Sequence, residues 1–171
     1  MKSSGDYAKK VWKNPAYFIA FGFGSGLSLL APGTAGTVAA IPLYYIISGC
    51  APLTYLGIVL LALIVGIWIT DYVSKDMHIH DFNGIVWDEI VGFFITMFLI
   101  PCSLNTILLG FIFFRIFDVW KPWPIRVIDK SVQGGFGIML DDVLAAIAAN
   151  VSLQALIYSG FVQASMRGLF V

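Results

Sequence analysis

Long apolar runs broken by short polar stretches dominate the chain. Residues 52–70 (PLTYLGIVLLALIVGIWIT) make an unbroken run of the length a spanning helix needs, about 20 residues for a hydrocarbon core of roughly 30 Å. Residues 34–49 predict a shorter first span, kinked at Pro42, which removes a helix hydrogen bond. Residues 85–101 and 104–120 predict two further spans joined by a two-residue turn, and 141–160 a last one. Between them lie a polar stretch, 71–84, and a basic, glycine-rich loop, 121–140. Residues 17–31 (YFIAFGFGSGLSLLA) are apolar but glycine-rich and short, which predicts a re-entrant or interfacial segment. Residues 1–16 read as an amphipathic surface helix, with Tyr7 and Trp12 toward lipid and Lys9, Lys10 and Lys13 toward anionic headgroups. A cleaved signal does not fit, because Gly22, Gly24 and Gly26 interrupt the apolar stretch that follows the lysines. The expected fold is an all-α integral membrane protein of about five spans, one domain over residues 1–171.

Composition agrees with that pattern. Hydrophobic residues are 59% and charged residues 12% of the chain, too few charges to cover a water-exposed surface. Ten basic and ten acidic residues cancel, so there is no basic surface to attract nucleic acid. Threading the five spans from an N-terminus on face one puts Lys2, Lys9, Lys10, Lys13, Lys75, Arg115, Lys121, Arg126 and Lys130 on that face. Only Arg167 lies opposite. Basic residues of short loops stay in the cytoplasm, so face one is the cytoplasmic face. The acids follow: Asp6, Asp71, Asp76, Asp81, Asp88, Glu89, Asp118, Asp129, Asp141 and Asp142 share it. Orientation rules do not demand this of acids. Helix starts favour carboxylates, which accounts for Asp141 and Asp142, accounts less well for Asp88 and Glu89, and fails for Asp118 near a helix C-terminus.

Three constellations then meet at one membrane level: Asp88-Glu89, Arg115…Asp118…Lys121, and Asp141-Asp142. Carboxylates at one depth repel unless a cation lies between them. Mg²⁺ suits such a set, since it takes a few carboxylate oxygens and leaves positions for water or phosphate. A salt-bridge ladder along one helix face is the plainer reading of Arg115, Asp118 and Lys121. Asp76, His78, His80 and Asp81 read as solvated loop residues, and Asp71 as the end of its helix. The stretches 22–36 and 134–137 offer backbone N–H groups to a phosphate, or close packing through Gly22 and Gly26. Asn150 and Gln154 read as interhelical hydrogen-bonding residues. Cys50 and Cys102 read as free thiols. Without a thiol-phosphatase loop, a D-x-D nucleophile motif or a Walker A lysine, metal-activated water is the simplest hydrolytic route.

The stretches GFGSGLSLLAPGTAGT, KDMHIHDFNGIVWDEIVG and FRIFDVWKPWPIRVIDKSVQGGFGIMLDD together resemble the phosphatidylglycerophosphatase A family over residues 18–150 or so. The resemblance implies a bacterial inner-membrane enzyme that removes the terminal phosphate of phosphatidylglycerophosphate with Mg²⁺ at the cytoplasmic face. It places Asp88, Glu89, Asp118, Asp141 and Asp142 as catalytic and metal-holding groups, with Asp81 matching a further acid. Arg115, Lys121 and Arg126 would bind phosphate, and Ser25, Gly134 and Gly135 would shape the headgroup pocket. Leu29 stands where the family pattern has proline, and Phe82-Asn83 replaces a more polar pair. A small ion transporter with an interfacial acidic cluster is the rival reading, although transporters place coupling acids near the midplane of broken helices. A non-catalytic scaffold for lipid-synthesis enzymes is a third.

Overall fold

A computed structural model describes residues 4–79 and 82–159, and every regular element in them is helical. Helices α1 (Ser4–Lys13) and α2 (Pro15–Ala20) lead into a 3₁₀ stretch, Gly22–Leu27. Then follow α3 (Pro32–Ile47), α4 (Pro52–Met77), α5 (Trp87–Thr96), α6 (Leu104–Trp120), α7 (Ile125–Ser131) and α8 (Gly134–Tyr158). Proline opens α2, α3 and α4 at the first turn, where its missing N–H costs nothing. Ser103 and Thr106 cap α6 reciprocally.

Helix α8 is the axis of the fold, packed against α4, α5, α6 and α7. Its Ala145, Ala146 and Ala149 are fully buried beside Phe114 of α6, so small side chains let the two helices approach. The α4–α8 crossing is closer still. A Cβ on Gly135 would stand 2.1 Å from the Ile67 carbonyl oxygen, so only glycine fits there. Outward, α4 presents Leu53, Leu61, Ile64 and Trp68, all well exposed. Helices α4 and α8 are each long and apolar enough to cross a membrane.

Several boundaries differ from the sequence reading. Helix α4 continues to Met77, beyond residue 70, and ends where His78 turns left-handed at φ 56°. Asp71 therefore does not end it. It sits on the last turns, accepts the Gly135 N–H at 3.2 Å and pairs with Lys75 at 2.6 Å. Helix α8 starts at Gly134, so Asp141 and Asp142 lie two turns inside it, buried, and the helix-start account of that pair falls. The same account gains Asp88 and Glu89, which occupy the first turn of α5. The loop 121–140 holds α7 and the opening turns of α8. Residues 17–31 form no long helix, and Gly26 packs on the Gly84 carbonyl, where a Cβ would stand 2.1 Å away. On α1, Trp12 is exposed, but Tyr7 turns inward onto Phe82 at 5.3 Å. Cys50 and Cys102 are both free.

The largest difference is α5. Its 10 residues rise only about 15 Å, where 85–101 had predicted a full span. The tertiary structure ends it. The Asn150 amide donates to the Thr96 and Phe98 carbonyls at 2.8 and 2.9 Å, and the Tyr55 hydroxyl to the Phe94 carbonyl at 2.7 Å. Carbonyls that a continuing helix would have used are satisfied by side chains of α8 and α4. Gln154 in turn donates to Asn150 at 2.9 Å and fixes its amide.

Candidate active site

The ends of α3, α5, α6 and α7 and the third turn of α8 converge on one cavity of about 520 Å³. From α5 come Asp88 and Glu89, and from α6 Arg115, Asp118 and Val119. Lys121, Asp129, Asp141 and Asp142 complete the charged wall. Opposite stands the first turn of α3, Pro32 to Thr34. The glycine lets the carboxylate come close, since a Cβ on Gly33 would lie 2.2 Å from Glu89 Oε1 and would push that side chain aside. The α3 N-cap, Ala31, supplies no side-chain acceptor, so the first N–H groups of that helix are left for an anion in the cavity.

Two cations divide the acids between them. Arg115 meets Asp118 at 2.6 Å and Glu89 at 3.8 Å, all three mostly buried. Lys121 bonds Asp129 at 2.7 Å and also Asp141. Its backbone, at φ 43°, is left-handed at the C-cap of α6, which swings the side chain back under the helix end. Burial alone would lower the Lys121 pKa, but the two carboxylates outweigh it and hold the ammonium above the ordinary lysine range. Lys121 is thus a permanent cation, unsuited to proton transfer near neutral pH.

Six carboxylates still face only these two cations around the cavity. Asp88, Glu89 and Asp142 each offer one oxygen, all within 4.8 Å of one another. Asp142 is 4% exposed. Its Oδ2, with Glu89 Oε2 and Asp141 Oδ1, is buried with no hydrogen-bond partner among the described residues. Buried acceptors without donors cost free energy, about 1–3 kcal/mol each and more when charged. The donor set is all oxygen, compact and anionic, and so fits a small hard divalent cation.

Not every residue singled out in the sequence reaches this cavity. Asp88, Glu89, Arg115, Asp118, Lys121, Asp141 and Asp142 line it together. Ser25 does not; its hydroxyl donates to the Gly22 carbonyl at 2.8 Å. Gly135 lies beneath the α4 backbone, and Gly134 beside Asp71. Arg126 lines a separate concavity on the outer side of α7. Asp81 and His80 lie outside the described residues. Two further lining groups, Asp129 and Asn83, are not among the site residues read from the sequence, whereas the Gly33-Thr34 turn falls within the 22–36 stretch read as offering N–H groups to a phosphate. For the turn, the Pro-Gly-Thr sequence at a helix start was a usable signal. For Asp129 and Asn83 no local pattern separates them from other loop residues.

Fold and site define a class: an all-helical protein with helices of membrane-crossing length and an acid-walled cavity, with two cations, gathered where helix ends meet. The chain belongs to the phosphatidylglycerophosphatase A family, whose sequence model matches residues 18–157. It is 44% identical over 145 residues to the phosphatidylglycerophosphatase A of Escherichia coli, covering 83% of this chain and 84% of that one. The Haemophilus influenzae protein of the same name is 43% identical over 152 residues, covering 85% and 90%. A putative phosphatidylinositol-3-phosphatase of Bacteroides thetaiotaomicron is 36% identical over 146 residues, covering 79% and 91%. No solved structure matches.

Proposed function

We propose that the chain hydrolyses the terminal phosphate monoester of phosphatidylglycerophosphate, giving phosphatidylglycerol and inorganic phosphate. One observation carries the reading: buried, partnerless oxygens of Glu89, Asp141 and Asp142 share a cavity with Arg115 and Lys121. That is the inventory a phosphoryl-transfer site needs, with cations for phosphate oxygens and carboxylates for a metal and a water proton. Membership of the family, and relatives named for this activity, support the choice of substrate.

In this reading Asp88, Glu89 and Asp142 would hold Mg²⁺. When bound, the ion supplies charge neutralisation at the phosphate and a lowered pKa for water. Arg115 and Lys121, with the first N–H groups of α3, bind the non-bridging phosphate oxygens. Asp118 is held by Arg115 and fixes the guanidinium for that contact. Asp141, with Oδ2 held by Lys121, keeps Oδ1 open to accept a proton from the attacking water. A bond forms between water oxygen and phosphorus while the bond from phosphorus to the glycerol oxygen breaks, and that oxygen leaves carrying the proton that Asp141 took from the water.

Helices α3, α4, α5, α6 and α8 would make five passages through a bacterial inner membrane, a reading supported by α4 and α8, each long and apolar enough to cross one. The basic residues of the loops support a site on the cytoplasmic side. Acyl chains can then stay in the leaflet while the headgroup enters the cavity. The transporter reading is weaker, because Asp88, Glu89 and Asp118 line the pocket from the ends of α5 and α6 rather than from a broken helix. The deciding experiment is phosphate release from phosphatidylglycerophosphate by purified protein in detergent, with Mg²⁺ or chelator, beside Asp118→Asn and Asp141→Asn. Release that needs Mg²⁺ and disappears in both variants is expected. No release from folded wild-type protein under any metal would overturn the phosphatase reading.

A further inference from the structure

The four cations on the 115–130 stretch fall into two groups that the sequence does not separate. Arg115 and Lys121 are each committed to two carboxylates inside the cavity. Arg126 and Lys130 are exposed on α7 and have no ion pair among the described residues. Four apart on a helix, they present one face. They line a second concavity, about 670 Å³, together with Trp120, Trp123 and Val127. Lys121 lines both spaces, so the two adjoin at that side chain. Burial of Ile125 and the Asp129–Lys121 bond pin α7 between them.

The substrate carries two phosphates of different chemistry, a terminal monoester and a diester that links glycerol to the lipid. The cavity, with six carboxylates against two cations, has no positive charge left for a second phosphate once the first is bound. Arg126 and Lys130 do. Arginine's fork matches phosphate oxygens in pairs, and Lys130 adds a second charge. Trp120 and Trp123, 75% and 83% exposed, are the side chains that settle at headgroup level, where a diester phosphate lies.

We propose that the apron of Arg126 and Lys130 between Trp120 and Trp123 binds the diester phosphate of the lipid while the cavity takes the monoester, an assignment that rests on the phosphatase reading above. The enzyme then selects a lipid with two phosphates by spanning both. Arg126 acts in recognition and not at the reacting phosphorus.

The test uses the full chain in neutral detergent micelles and the double variant Arg126→Gln/Lys130→Gln. The expected result is a KM raised about tenfold with kcat kept, a loss of roughly 1.4 kcal/mol of binding. Two inhibitors separate the two spaces. Inhibition by phosphatidylglycerol, which has the diester phosphate alone, weakens in the variant, while inhibition by inorganic phosphate, which needs only the cavity, does not change. A second readout needs no turnover: tryptophan emission, with Trp120 and Trp123 flanking the apron, is titrated with phosphatidylglycerol and then with phosphatidylcholine. Preference for the anionic lipid that is lost in the variant supports the apron. An unchanged KM, parallel weakening of both inhibitors, or an emission titration identical in wild type and variant would overturn it. A wild-type protein that binds phosphatidylglycerol at the apron yet releases no phosphate would count against the phosphatase reading alone.

Discussion

The two ends of the α5–α8 pair treat buried polar atoms in opposite ways. At the far end, Asn150 and Tyr55 supply donors to the Thr96, Phe98 and Phe94 carbonyls, and Gln154 secures Asn150. At the near end, Glu89, Asp141 and Asp142 each keep a buried oxygen with no donor among the described residues. Both ends are built on α5 and α8, with α4 closing the far end and α3, α6 and α7 lining the near one. A satisfied network fixes structure, and an unsatisfied one stores free energy that a ligand can release. Function is left open where structure is closed.

The largest effect should come from the open end. Asp142→Asn should lower phosphate release by about 10³-fold, the scale seen when a preorganised charge at a reacting centre is removed. It should not lower the melting temperature in detergent, because it relieves repulsion among carboxylates. A loss of stability matching the loss of activity would mean that Asp142 is structural. Gly135→Ala tests the crossing that sets the depth of α8. The new Cβ meets the backbone oxygen of Ile67, which cannot swing aside, so a destabilisation of about 1–3 kcal/mol is expected from overpacking.

At the closed end, Asn150→Leu strands two carbonyls and should cost about 2 kcal/mol, read as a lower midpoint in denaturant. Activity per folded molecule should hold. If activity fell while stability stayed, the contrast between the ends would be wrong. The smallest effect belongs to Lys10→Gln. Lys10 bonds Asp76 at 2.5 Å, but both side chains are about two-fifths exposed, at 38% and 42%. Water screens such a pair, so a change under about 1 kcal/mol is expected on chemical unfolding.

Much of the candidate site could be read from residue type and position. Asp88, Glu89, Asp118, Asp141 and Asp142 stood out because charge is expensive near an apolar run. The structure brings all five to one place. Arg126 could not be distinguished from Arg115 in that way, since only the fold turns Arg115 of α6 into the acid cavity and Arg126 of α7 to the second concavity. Asp71 looked like a helix end and instead receives the α8 N-terminus, a contact made 64 residues away in sequence. Gly135 looked like a phosphate cradle and proved to be the space that α4 needs.

Hydrophobic order alone determined that this chain is helical and where its apolar runs lie. These follow from the cost of placing polar groups in an apolar surrounding, which each residue carries by itself. Where the helices stop was decided elsewhere. Residues 97–100 are as apolar as the rest of their run, and α5 ends before them because Asn150, more than 50 residues on, offers its carbonyls another donor. Likewise Asp141 and Asp142 became interior residues only when Gly134 and Gly135 let α8 begin two turns early against α4. Helix ends and site membership are settled by partners, and partners are a property of the folded chain.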